Sequence, residues 1–123
     1  MIGKNLVDFL NEELKEYSII EKLVYLADGH PDKVVFTTSF GYEDQVITDL
    51  IFGNNIDIKV ITLDTGRLFP ETYKVYRSTL EKYRKPIKAY FPPTEKVEQL
   101  LIEKGPFSFY ESLENRKECC FIR

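Results

Sequence analysis

The stretch Val34–Asp44, VVFTTSFGYED, limits what this chain can fold into more than any other. Val34 to Thr37 are β-branched or aromatic and suit a buried strand. Thr38, Ser39, Phe40 and Gly41 then make a polar turn with one glycine. Beyond it the apolar pattern changes period, and Val46, Ile47, Leu50 and Ile51 fall on one face of a helix. Strand, tight turn and helix together suit an anion. The turn's N–H groups converge with the first N–H groups of the helix, which have no partner inside it. Gly41 is expected to let the backbone pass close to a bound anion, with Thr38 and Ser39 adding hydroxyl donors. Glu43 and Asp44 open the helix and disfavour a highly charged polyphosphate. The purely structural alternative is that Gly41 only turns the chain and Glu43-Asp44 only cap the helix. Neither a Walker-type phosphate loop nor a GxGxxG fingerprint is present.

In chain order, Leu6, Phe9, Leu10 and Leu14 mark a first amphipathic helix. Ser18 with Glu21 forms a capping box for a second, carrying Ile20, Leu23, Val24 and Ala27 and stopping near Gly29-His30-Pro31. His30 reads as a plain loop residue. Gly53-Asn54-Asn55 ends the helix of the opening stretch, and Ile56–Leu63 reads as a second buried strand. Pro70 suits the first turn of a helix whose buried face is Tyr73, Tyr76, Leu80 and Tyr83. Pro86–Phe91 reads as a third strand and Thr94 as the cap of a helix holding Val97, Leu100 and Leu101. Gly105-Pro106 ends that helix, and Phe107–Asn115 is expected to be a short one.

Alternating helices and strands imply an α/β fold, with parallel strands joined by right-handed crossovers. The 123 residues form one domain at most, residues 1–123, with a helical N-terminal segment 4–28. Three strands make a thin sheet, and the chain stops on Phe121-Ile122-Arg123. It is therefore expected to be the N-terminal part of a longer protein. A net charge of −3 lacks the basic surplus of a duplex binder, so no nucleic-acid partner is expected. No run is long enough for a membrane span and no signal-peptide core is present, which leaves the cytoplasm as the default.

In an open parallel sheet ligands collect at the carboxyl ends of the strands. The second such end reads LDTGRLFPETY. Gly66 permits a sharp turn where a base or ribose can rest, and backbone groups near Leu63 and Thr65 can pair with an adenine edge. Arg67 can present a fork of donors to a phosphate or sulfate. The alternative is that Asp64 and Thr65 make an Asx-type turn and Arg67 is a solvated charge. Cys119 and Cys120 are the only cysteines. Neighbours in sequence rarely pair with each other. Two ligands are too few for a closed zinc or iron–sulfur site, so they are buried thiols or part of a larger set. Arg116, Lys117 and Arg123 flank them and favour thiolate.

Three segments, TTSFGYEDQVI, LDTGRLFPETY and GPFSFYESLENRKECCFIR, resemble the assimilatory adenylyl-sulfate reductases of the adenylyl-sulfate and phosphoadenylyl-sulfate reductase family. The likeness runs in order from about Leu14 to Arg123. It implies a three-layer α/β/α adenine nucleotide alpha hydrolase-like (PP-loop) fold whose C-terminal part is not in this chain. It implies that Thr38, Ser39, Phe40, Gly41, Glu43 and Asp44 cradle the phosphosulfate. Leu63, Asp64, Thr65, Gly66 and Arg67 then hold the adenosine. Cys119 and Cys120 match the pair that supplies two of the four ligands to a 4Fe-4S cluster in the branch using adenylyl sulfate. The branch using the 3′-phosphorylated substrate commonly lacks this pair. The implied reaction is attack of a late cysteine thiolate on the sulfate sulfur, releasing AMP, after which thioredoxin or a similar dithiol releases sulfite. That cysteine is not in this chain, so the chain alone is expected to be inactive. Homo-oligomerisation stays open. The competing readings are a reductase of the 3′-phosphorylated substrate, an ATP pyrophosphatase or sulfate adenylyltransferase small subunit, and a non-catalytic adenine nucleotide-binding module.

Overall fold

The computed structural model describes residues 3–123; Met1 and Ile2, the start of the expected single domain, lie outside the described residues. The elements are α1 (Lys4–Glu13), α2 (Ile19–Gly29), β1 (Val35–Thr37), α3 (Tyr42–Gly53), β2 (Lys59–Leu63), α4 (Pro70–Tyr83), β3 (Lys88–Tyr90), α5 (Thr94–Lys104), a 3-10 turn (Ser108–Tyr110) and α6 (Leu113–Ile122). The strands are parallel in the order β1-β2-β3. Thr37 pairs with Ile61, and Leu63 with Tyr90. The expected α/β class with a parallel sheet is therefore observed.

Local chemistry accounts for most helix ends. Ser18 Oγ accepts from Glu21 N–H, and Glu21 Oε2 accepts from Ser18 N–H at 2.6 Å. This reciprocal cap contributes about 1 kcal/mol. The Ser18 N–H holds the Glu21 carboxyl below the usual carboxylate range. Pro70 opens α4 as expected, and Arg84, in the left-handed region at φ 52°, closes it. Thr94 does not cap α5. It is the first helical residue, preceded by Pro93, and makes no side-chain cap bond.

The core gathers Ala27 of α2, Ile51 and Phe52 of α3, and Val60 of β2, with Ile58, Ile87 and Phe40. Leu23, Phe36, Ile47, Tyr76, Leu80 and Tyr83 pack around them. Consecutive strands that step in one direction through right-handed crossovers put their helices on one face. The strands are accordingly buried on that face alone, so the expectation of fully buried strands is corrected. Phe36, Val60 and Thr62 turn inward, while Val35, Leu63 and Tyr90 are exposed. Two further corrections concern periodicity. On α3 the inward stripe is Ile47, Thr48, Ile51 and Phe52, with Val46 exposed. On α4 Tyr73 is exposed rather than buried, because its hydroxyl reaches Asp64. The second strand begins at Lys59, not Ile56. Ile58 turns into the core ahead of it, and Ile56 is tied to α3 through its N–H on Ile51 O.

Candidate functional site

The loop after β1 is tied to β2 at its first residue and closed by its own side chains beyond it. Thr38 is buried, its N–H donating to Ile61 O and its carbonyl accepting from Thr62 Oγ1 at 2.8 Å. Its own Oγ1 accepts from Phe40 N–H at 2.9 Å. Phe40 sits in the left-handed region at φ 64° with its ring buried against Tyr76, 4.8 Å between centroids. That conformation costs a non-glycine residue roughly 1–2 kcal/mol, here offset by burial of the ring. Gly41 is the N-cap of α3 and has extended backbone, φ −72° and ψ 172°. A Cβ there would stand 3.4 Å from Ser39 Oγ, an ordinary contact, so neither backbone twist nor space requires glycine at this position.

Asp44 closes the loop. Its Oδ2 accepts from both Ser39 N–H and Ser39 Oγ–H, each at 2.6 Å, and Ser39 Oγ accepts from Gly41 N–H. Two donors expected to face an anion, the N–H and the hydroxyl of Ser39, are thus engaged by a carboxylate of the chain itself. Glu43 lies exposed in the first turn of α3. Asp44→Ala removes the acceptor for both Ser39 donors and is expected to cost about 1 kcal/mol. Amide exchange should then accelerate at Ser39 to Gly41 and stay unchanged in β2.

The loop after β2 is an Asx turn around a buried carboxylate. Asp64 Oδ1 accepts from Gly66 N–H at 2.7 Å, and Tyr73 Oη–H reaches both Asp64 oxygens at 3.0 Å. Asp64 N–H donates to Tyr90 O, tying the turn to β3. Gly66 stands at φ +82°, where a side chain is strained. Partial loss of hydration at the hydroxyl first, then its hydrogen bond to the Asp64 carboxylate, pushes Tyr73 above its ordinary pKa of 10.0 although the residue as a whole is exposed. A group raised in the folded state stabilises it below the unfolded pKa, and that contribution is lost as pH rises through the folded value. Tyr73→Phe is therefore expected to remove an alkaline loosening of Asp64–Arg67, read by amide exchange across that range.

Arg67 is neither free in solvent nor extended from the loop. Its guanidinium donates to Pro106 O and lies 4.6 Å from the Phe109 ring centroid and 5.3 Å from that of Phe107. Thr65 Oγ1 accepts from Arg67 N–H, and Thr65 O accepts from Arg123 Nη1 at 2.6 Å. Arg67 thus fastens the second loop to the Pro106–Phe109 segment, and Arg123 fastens it to the end of α6.

The cysteine pair lies on α6, which sequence reading missed. The expected short helix over Phe107–Asn115 is instead the 3-10 turn, and α6 begins at Leu113 with Ser112 Oγ accepting from Asn115 N–H. Ser112 is the overlooked start signal. Cys119 is buried and Cys120 exposed. Both open, with Thr65, Arg67, Arg116 and Arg123, on one cavity of about 420 Å³. The Nε of Arg123 is buried there without a partner. A larger cavity of about 760 Å³ lies between α1 and α2, lined by Phe9, Ile20 and Val24 among others. It is mainly apolar and shares no lining residue with the loops after β1 and β2 or with α6. Among the described residues no group of three or more His, Cys, Asp or Glu side chains is placed to hold a metal ion.

Residues 33–123 match the phosphoadenosine phosphosulfate reductase domain. This chain belongs to that family. It is 44% identical over 114 residues to an adenosine 5′-phosphosulfate reductase of Sinorhizobium fredii, covering 93% of this chain and 45% of that protein. The reductase of the same name from Rhizobium meliloti is 43% identical over 113 residues, with 92% and 42% covered. The crystal structure of phosphoadenylyl-sulfate reductase from Candida auris, a phosphate complex, superimposes with a TM-score of 0.77 at 25% identity. That match covers 99% of this chain and 58% of the other. The family member described here thus shares the PP-loop type of fold and spans about half the length of the curated relatives it matches. No helix among its described residues is long and apolar enough to cross a membrane.

Proposed function

We propose that this chain is the nucleotide-holding part of a reductase that converts adenylyl sulfate to sulfite and AMP in sulfate assimilation. The observation that carries the reading is the shared cavity. The loop after β2 and the cysteine pair open on one space, bordered by Arg67, Arg116 and Arg123. The loop after β1 does not line that space; it is joined to β2, the strand that ends in the second loop, through the Thr38–Ile61 and Thr38–Thr62 hydrogen bonds. On this reading Asp64 shapes the seat for the adenosine and the arginines draw its anionic tail toward α6. Asp44 holds Ser39 and Gly41 in place at the phosphosulfate end.

The two thiols and their cationic surroundings fit half of a cluster site, with Cys119 and Cys120 holding two positions of a 4Fe-4S cluster and other cysteines the rest. When bound, such a cluster would supply an anionic iron–sulfide centre whose charge the three arginines offset. The cysteine pair and the names of the relatives favour adenylyl sulfate; the Candida auris neighbour keeps the 3′-phosphorylated substrate as the second reading. The nucleophilic thiolate would come from polypeptide outside this chain, and a dithiol such as thioredoxin would release sulfite from the resulting S-sulfonate.

The test joins this chain to the part of the Sinorhizobium fredii reductase that it does not match. Supplied with thioredoxin, the joined protein is expected to release sulfite and AMP from adenylyl sulfate in preference to the 3′-phosphorylated substrate. The opposite preference selects the second reading. Consumption of ATP, with neither sulfate ester used, overturns both.

A further inference from the structure

The tyrosines of α4 form a row that core burial does not explain. Tyr73, Tyr76 and Tyr83 recur with Leu80 at helical spacing, which keeps them on one face. Yet each hydroxyl has its own partner. Tyr73 Oη–H donates to the Asp64 carboxylate in the loop after β2. Tyr76 Oη–H donates to Ile87 O just ahead of β3, and Tyr83 Oη–H to Asp49 of α3. The rings divide in the same way. That of Tyr76 lies against Phe40 of the loop after β1, with 30° between planes, and that of Tyr83 lies 5.5 Å from Phe52 of α3. Between them Thr79 Oγ1 accepts from Gln45 Nε2 of α3 at 3.0 Å. The C-terminal half of α4 is thus fixed to α3, while its N-terminal half reaches both strand-end loops from positions one turn apart.

We infer that Tyr76 is a positioning residue for the anion end of the site, acting through Phe40, and that Tyr73 positions the adenosine end through Asp64, so that one helix sets the two ends separately. Phe40 stands between Ser39 and Gly41 in the chain and holds a left-handed backbone at φ 64°. That region is unfavourable for phenylalanine, and the buried ring against Tyr76 is what retains it. Without the Tyr76 ring, Phe40 is released toward ordinary backbone angles, and the Ser39 and Gly41 N–H groups on either side of it turn from their present directions. Tyr73 works on the other loop, where it holds the carboxylate on which Gly66 N–H closes the turn. Burial first, then the Asp64 charge, holds the Tyr76 hydroxyl above its ordinary pKa of 10.0, so this hydroxyl also feels the second loop. Tyr76→Phe removes the hydroxyl and keeps the ring, which isolates the contact with Phe40. The names of the two ends rest on the nucleotide reading; the division of the loops between two tyrosines rests on the contacts alone.

The experiment titrates the chain and its variants with adenosine and with AMP by calorimetry, and follows amide exchange with no ligand present. Tyr76→Leu keeps the bulk and loses the ring. It is expected to weaken AMP about two- to tenfold, the worth of an aromatic pair, and to leave adenosine unchanged. Tyr76→Phe should keep the original ratio of AMP to adenosine affinity. Tyr73→Phe should weaken both ligands by one common factor, about three- to tenfold. Without ligand, Tyr76→Leu should speed exchange at Ser39–Gly41 and Tyr73→Phe at Gly66 and Arg67, each leaving the other loop as it was. Tyr83→Phe, at the far end of the row, should move neither loop. A row that served stability alone would loosen both loops together and hold the ratio of AMP to adenosine affinity constant in every variant. That result overturns the inference, as does unchanged exchange at Ser39–Gly41 in Tyr76→Leu. If the unaltered chain binds neither ligand, the nucleotide reading fails, and the exchange data decide by themselves whether the two tyrosines divide the loops.

Discussion

Cys119→Ser and Cys120→Ser are each expected to leave the joined protein without iron. The two thiols occupy adjacent positions near the end of α6 and open on the same cavity, so neither can take over the place of the other. A serine hydroxyl is a poor substitute for a thiolate at an iron–sulfide centre. Iron content and the brown absorbance should fall to near background in both variants. Stability separates the two. Cys120 is exposed, so its replacement should leave folding untouched. Cys119 is buried, and a hydroxyl placed there costs on the order of 1 kcal/mol or more. Loss of iron in Cys120→Ser, with unchanged circular dichroism, is thus the cleaner result. Full iron in either variant removes the pair from the ligand set.

Gly66→Val should have the next largest effect. At φ +82° a β-branched residue is strained by roughly 1–2 kcal/mol. The new Cβ would also stand 3.4 Å from Arg123 Nη1, the group that donates to Thr65 O. Both the Asx turn on Asp64 and the arginine link to α6 are expected to loosen. A combined loss of about 2–3 kcal/mol corresponds to AMP affinity reduced about 30- to 150-fold. Gly66→Asn, a residue that tolerates this backbone region, should lose less. The loop after β1 should keep its amide protection, because its bonds run to Ile61, Thr62 and Asp44 and not to Gly66. An unchanged affinity for AMP would return the second loop to a structural role.

What could be read from the sequence divides along the distance over which each signal acts. The Ser18–Glu21 cap, the entry of Pro70 into α4 and the strand–turn–helix at Val34–Asp44 are local, and the structure contains all three. The residues of the loops after β1 and β2 were legible as two strand ends, but the fate of their side chains was not. Arg67 lies against Phe107 and Phe109 and bonds Pro106, 39 residues away. No periodicity reports such a contact. Asp44 was legible as a helix-opening acid; that its carboxylate closes on Ser39 depends on the turn geometry forced by Phe40. The buried stripe of α3 was misplaced because Thr48, polar by composition, is fully buried, while apolar Val46 faces solvent. The single covered face of the sheet was invisible, because strand patterns report which residues are apolar and not which layer reaches them.

The most direct measurement is a titration of the 123-residue chain with AMP, following every backbone amide by magnetic resonance. The account predicts saturable shifts in two clusters, Thr38–Asp44 and Leu63–Arg67, propagating through Arg123 into α6. Absence of binding, or shifts confined to the apolar groove between α1 and α2, would contradict it.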